Sequence, residues 1–154
     1  MRIHLILFAL VTLLFAKAEA QPSTTSPFIN PSGYYSLDNK TRVDSGETYG
    51  YFGTIKVKLI DSSRIFVDFY VCKGAPTYNS GSFEDTLFYR NGIAAYSTID
   101  DPSCVITFNF NSAEGTMVDE KSKDKNNGCG FGKGVNATGF YKKITGVDSK
   151  TKKQ

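Results

Sequence analysis

The sequence has no tryptophan and a single histidine, His4, which stands at the extreme N-terminus. Apart from that segment the chain has no histidine, and so lacks the usual general base and the commonest zinc ligand. The same lack removes the Ser-His and Cys-His arrangements that activate a nucleophile. Charge of one sign is also missing in excess. The full chain carries 18 basic and 15 acidic residues, a net +3, which gives no argument for a nucleic-acid partner. After the N-terminus there is no long apolar run, no ten-residue helical stripe and no internal repeat.

The N-terminus itself reads as an export signal. Arg2 supplies the positive start, Leu5 to Ala16 the apolar stretch, and Ala18 and Ala20 the small residues a signal peptidase reads. The expected division is a signal peptide over 1–20, a flexible polar leader over 21–32 and a β domain over 33–144. A basic, frayed tail over 145–154 completes it. No cysteine stands at the cleavage point, so a lipid anchor is not expected, and no second long apolar segment follows, so no membrane anchor is expected. The chain is read as a monomer that is periplasmic or secreted. With three cysteines in an oxidising compartment, one disulfide and one leftover thiol are expected; spacing alone leaves three pairings open.

What the chain does have is strand patterning. Ile55, Val57 and Leu59 alternate with Lys56 and Lys58, the signature of a half-buried strand. Ile65, Val67, Phe69 and Val71 share one face of "IFVDFYVCK", and the other face is also largely apolar, which marks a central strand. Asn91-Gly92 is a tight hairpin turn between "SFEDTLFY" and "IAAYSTI". Cys104, Ile106, Phe108 and Phe110 point inward from "CVITFNF". About eight short strands with brief links predict an all-β fold, a small antiparallel barrel. In "GCGFGKGV" the glycines fall at 128, 130, 132 and 134. If that stretch is extended, its glycines line one side and Cys129, Phe131, Lys133 and Val135 the other. A barrel corner, a bulge, a covering aromatic ring or an approaching partner would each explain the bare face.

Several segments resemble known proteins. "GAPTYNSGSF", "AAY", "CVITFNF" and "CGFGKGVNATGFYKK", spanning Gly74 to Lys142, resemble an uncharacterised family of small exported β proteins of Bacteroidetes-type bacteria. The resemblance implies that Cys104 and Cys129 form the disulfide and leaves Cys72 as the free thiol; it brings no activity with it. Placing Cys104 and Cys129 at the openings of two late strands agrees with that pairing. Separately, "SGETY" (Ser45 to Tyr49) resembles the Ser-Gly-x-x-Tyr motif of bacterial inhibitors of c-type lysozyme, which implies a small eight-stranded barrel that binds a cell-wall hydrolase.

Three functional classes follow. An enzyme is not expected. Glu84 and Asp85 are adjacent and face opposite sides, Asp100-Asp101 reads as a turn, and Cys72 has no base beside it. No catalytic residue, cofactor or metal is assigned; "DKNNG" misses the calcium-loop pattern and "GKG" the phosphate-loop ending. A lipocalin-like carrier would hold a small apolar ligand among Phe66, Tyr70, Phe83, Phe108 and Phe110. The favoured class is an exported, non-enzymatic binding protein of the cell envelope, lysozyme-inhibitor-like in its most concrete form. Its partner would be a cell-wall hydrolase or another envelope protein. The candidate contact residues are Ser45, Tyr49, Tyr78 and Asn79, in two loops that set a tyrosine beside small flexible residues.

Overall fold

The computed structural model describes residues 27–99, 101–123 and 128–144. The expected signal peptide and basic tail, as well as leader residues 21–26, lie outside them. Nine strands follow in order: β1 Gly33–Leu37, β2 Arg42–Asp44, β3 Glu47–Asp61, β4 Arg64–Gly74, β5 Ser80–Arg90, β6 Ile93–Tyr96, β7 Val105–Asn109, β8 Gly115–Lys121 and β9 Gly139–Ile144. All pairings are antiparallel. Eight strands close into a barrel in which β1 joins β3 to β9, while β2 adds to the start of β3 as a ninth. The all-β barrel expected from the strand pattern is therefore the fold.

Alternation sets the wall. Along β4, Ile65, Val67, Phe69 and Val71 are all fully buried. Each such side chain taken from water contributes about 1.5–3 kcal/mol. The strand is paired on both sides, to β3 and β5, as a central strand should be. Lys56 and Lys58 face solvent. Asn91 and Gly92 take φ of 52° and 77°, and Arg90 pairs with Ile93 across the two-residue turn between β5 and β6. That turn matches the twist of the strands it joins.

Aromatic rings fill the interior. Phe110 packs on Phe108 (6.3 Å), Phe108 on Phe69 (6.0 Å), and Phe69 on Phe131 (6.1 Å) and Tyr141 (5.9 Å). Tyr35 and Tyr89 reach Phe110 from the other end of this column. The polar tips of the buried tyrosines are satisfied by main chain. Tyr141 donates to the Ala137 carbonyl at 3.1 Å and Tyr35 to that of Pro31. Burial pushes the Tyr35 hydroxyl up to about 12, with the neighbouring Tyr89 adding to the shift, and holds Tyr141 higher still. The interior of the barrel is thus apolar. Among the described residues no helix is long and apolar enough to cross a membrane.

The two ends close differently, and each corrects an expectation. At one end, residues 27–32, read as part of a flexible leader, pack against the barrel. Pro31 is fully buried, Phe28 meets the Tyr89 ring edge-on at 6.2 Å, Tyr89 donates to the Ile29 carbonyl at 2.8 Å, and the Leu59 N–H donates to Ser32 Oγ at 2.9 Å. Buried Pro31, the Phe28–Tyr89 ring contact and two hydrogen bonds hold this stretch despite its polar, proline-punctuated composition.

At the other end, Gly128 to Val135 is not an extended strand. Gly128–Gly130 forms a tight turn closed by the Phe131 N–H on the Gly128 carbonyl at 3.0 Å, with Cys129 at φ 58°. A second turn follows, closed by the Val135 N–H on the Gly132 carbonyl at 2.9 Å. Gly130 and Gly134 hold left-handed φ of 72° and 71°, which glycine adopts without steric cost. Gly132 lets the chain approach β5: a Cβ there would sit 3.1 Å from Asn79 Cβ and 3.2 Å from the Ser80 nitrogen and oxygen. The result is a cap that lowers Cys129, Phe131, Val135 and Ala137 into the core. Cys129 sits in this cap and does not open a strand.

Candidate binding surface

The cap end of the barrel gathers the sequence-predicted contact residues. Ser45 and Gly46 (φ 52° and 83°) form a two-residue turn joining β2 to β3, with Asp44 paired to Glu47. The "SGETY" stretch is therefore the tip and rising arm of a hairpin. The "GAPTYN" stretch is the β4–β5 loop, with a cis Ala75-Pro76 bond and Tyr78 at φ 50°. Within it, the Tyr78 N–H donates to the Gly74 carbonyl and the Lys73 N–H to the Asn79 carbonyl, both at 2.9 Å.

Hairpin and loop are bonded together. The Ala75 N–H donates to the Thr48 carbonyl at 2.7 Å, and the Thr48 N–H donates to the Tyr78 hydroxyl at 2.9 Å. The Tyr78 hydroxyl is held above the ordinary tyrosine range chiefly by its hydrogen bond to the Glu47 carboxylate, while the Thr48 N–H pulls the other way. Gly74 makes the approach possible, since a Cβ on it would lie 2.6 Å from both the Thr48 and Gly50 carbonyl oxygens. The Arg42 guanidinium covers the Tyr49 ring at 5.0 Å from its centroid. Asn79 Nδ2 donates to the Lys133 carbonyl at 2.8 Å, the Gly132 N–H donates to the Ser80 carbonyl at 2.9 Å, and the Tyr51 hydroxyl donates to the Gly134 carbonyl. Hairpin, loop and cap are one braced unit.

Tyr49, Tyr78 and Asn79 thus come together, with Ser45 at the hairpin tip, where its hydroxyl donates to Asp44 Oδ1 at 3.3 Å. The Tyr78 hydroxyl and the Asn79 Nδ2 are engaged within the protein, so Tyr78 presents mainly its ring outward. Tyr78 is 40% exposed and Val43, on β2, 71%. Beside the unit runs a groove of about 310 Å³ between Leu37, Asn39, Tyr51 and Phe140. The sequence reading missed Arg42, Val43 and Thr48. The β-type residues Val43 and Thr48 flanking Ser45-Gly46 were the available signal for a hairpin there. A larger groove, about 680 Å³, lies at the opposite end between Phe28, Phe88 and the β5–β6 turn.

Cys104 and Cys129 are disulfide-bonded, with Cα atoms 5.2 Å apart, as the family resemblance implies. Glu120 lies against them. Its carboxylate accepts the Ala137 N–H at 2.7 Å, and burial raises its pKa above the ordinary carboxylate range, partly offset by that hydrogen bond. The donor atoms of Cys104, Glu120 and Cys129 fall within 4.8 Å of one another. That spacing suits a metal, but sulfurs joined to each other offer no thiolate to one. Cys72 is free and buried. It shares the outward face of β4 with Phe66 and Tyr70, yet is 1% exposed. Phe52 stands opposite it, the Gly74 N–H donates to its sulfur at 3.4 Å, and the Phe52 and Tyr70 rings lie 6.4 Å apart.

Of the residues considered for a carrier cavity, Phe83, Phe108 and Phe110 pack with other rings, and Phe66 and Tyr70 lie on the outward face of β4. Asp101 Oδ1 accepts the N–H and hydroxyl of Ser103, as a turn residue would; Asp100 lies outside the described residues. Comparison with protein-family models, curated proteins and solved structures gave no match.

Proposed function

We propose that the protein is an exported, non-enzymatic binding protein of the cell envelope. It presents the β2–β3 hairpin and β4–β5 loop to another macromolecule, and its most concrete form is a lysozyme-inhibitor-like protein acting on a cell-wall hydrolase. The observation that carries this reading is the bonding of Thr48 to both Ala75 and Tyr78, which fuses two tyrosine-bearing loops into one preformed projection. A rigid projection loses little freedom on binding, and exposed tyrosines are effective interface anchors. The export-signal pattern and the disulfide support an extracytoplasmic setting. The packed aromatic column favours this reading over a lipocalin-like carrier, because a ligand inside the barrel would have to displace Phe69 and Phe108.

The test is inhibition of c-type lysozyme and other muramidases by the purified protein, with direct binding measured alongside. Inhibition should fall at least tenfold in Tyr49→Ala and in Tyr78→Ala while the circular dichroism stays native. Absence of binding to every muramidase at tens of micromolar would remove the hydrolase-inhibitor form. A stoichiometric apolar ligand found by native mass spectrometry would replace it with the carrier.

A further inference from the structure

The barrel wall is closed unevenly at β5. On one side β5 is paired continuously with β4, from Ser80 opposite Cys72 to Phe88 opposite Arg64. On the other it meets β6 only at Tyr89–Ala94 and Arg90–Ile93. At its beginning the Ser80 carbonyl accepts the Gly132 N–H of the cap. Between these two closures lies a gap.

The direction of the main-chain groups in the gap is fixed by its ends. The Tyr89 N–H donates to the Ser63 carbonyl, on the β4 side, at 2.8 Å, whereas the Ser80 carbonyl turns away from β4 toward the cap. Because groups alternate along a strand, the N–H and C=O of Ser82, Glu84 and Thr86 face away from β4, into the gap. Among the described residues one of these groups has a partner: the Thr86 N–H donates to the carboxylate of its own neighbour Asp85 at 2.7 Å. The free edge from Ser82 to Thr86 is about 17 Å long, the length of a short strand. Its inner wall is apolar, where Phe83 stacks on Tyr96 with centroids 3.6 Å apart.

Charge selects the occupant. Asp85 follows the inward alternation of Phe83 and Leu87 yet is exposed, and among the described residues no strand pairs with this part of β5 on the side away from β4. Glu84 stands directly opposite Asp68 on the outer face, a like-charge pair, with Lys56 opposite Asp68 on the far side. None of the three acids forms an ion pair among the described residues. A second copy pairing antiparallel through the same edge would set acids against acids, which is unfavourable in a sheet.

We propose that the Ser82–Thr86 edge of β5 is a docking site for an extended basic segment of a partner protein, added as a strand across the gap. Main-chain hydrogen bonds to Ser82, Glu84 and Thr86 supply affinity, and basic side chains meeting Glu84 and Asp85 supply selectivity. Asp85 guards the Thr86 N–H until a basic side chain draws its carboxylate away. This surface is separate from the projection at Thr48 and Tyr78.

The test is amide hydrogen exchange of the purified protein, followed by NMR, with three synthetic heptapeptides. One alternates lysine with valine, one alternates glutamate with valine, and one is the lysine peptide N-methylated at alternate positions. The lysine peptide alone is expected to slow exchange at Ser82 and Glu84 at least tenfold. Glu84→Lys with Asp85→Lys should weaken it at least tenfold, and Glu84→Gln with Asp85→Asn should weaken it less. Tyr78→Ala should leave it unchanged. The proposal is overturned by no slowing at these amides, by equal slowing from the glutamate or N-methylated peptide, or by no effect of the paired lysine substitutions. Slowing that rises with protein concentration in the absence of peptide would assign the edge to a second copy and overturn it equally.

Discussion

The ring of Phe131 packs against the backbone of Gly81: a Cβ built on Gly81 would come within 2.1 Å of the ring's Cγ and 2.3 Å of its Cδ1. Gly81→Ala should therefore force the ring out of the core and destabilise the protein by about 1–3 kcal/mol, the usual cost of overpacking. Phe131→Ala should cost about 3–5 kcal/mol. Urea denaturation of both and of the double variant closes a cycle. Adding Gly81→Ala to Phe131→Ala should cost much less than it does alone, since the obstruction is gone. Strict additivity would mean that the two residues do not meet.

The disulfide joins residues 25 positions apart. Replacing Cys104 and Cys129 together by alanine should cost about 3.5 kcal/mol by chain entropy alone. Because Cys129 belongs to the cap, the loss should appear first as faster exchange of the Phe131 and Val135 amides, which hold the cap's two turns. A denaturation midpoint unchanged from the wild type would contradict this.

Cys72 should resist thiol reagents in the native protein and react fully in denaturant. The cover that Phe52 gives it predicts that Phe52→Ala will raise the native labelling rate at least tenfold with little change in overall structure. Rapid labelling of the wild type would show the sulfur to be accessible.

Glu120 should make stability depend on pH. Its folded pKa is raised, mainly by burial, above the ordinary carboxylate value. A carboxyl of this kind binds its proton more tightly when folded, so its favourable contribution is complete below about 4.5 and is lost as pH rises through the higher folded value. Glu120→Gln keeps an oxygen to accept the Ala137 N–H but cannot ionise. Denaturation midpoints between pH 4 and 7 should fall less steeply with rising pH in the variant than in the wild type. Parallel curves would remove Glu120 from the account.

The strands were legible where alternation is strong. Ile65 to Val71, Cys104 to Phe110 and the Asn91-Gly92 turn each carry a local signal that packing does not override. The cap was not legible, because glycine at every second position between 128 and 134 imitates a strand's period. What decides its shape is the left-handed backbone at Cys129, Gly130 and Gly134 and the demand for Phe131 over Gly81, some fifty positions earlier. The contact residues were half legible. Both loops could be named from their turn residues, but that Thr48 would bond to Tyr78 depends on strand register. The same holds for Cys72, whose alternation points outward yet which is buried, opposite Phe52 on β3.

The barrel's seam is made by β1 and β9, with Tyr34 opposite Ile144 and Leu37 opposite Tyr141. These are the first and last strands of the described chain. During synthesis β3 and β4 can pair as soon as both have emerged, but β1 is left with one free side until β9 has been made. A nascent chain therefore carries an unfinished sheet until β9 has been made and joins the ring. Anything that holds β9 back therefore keeps the barrel open.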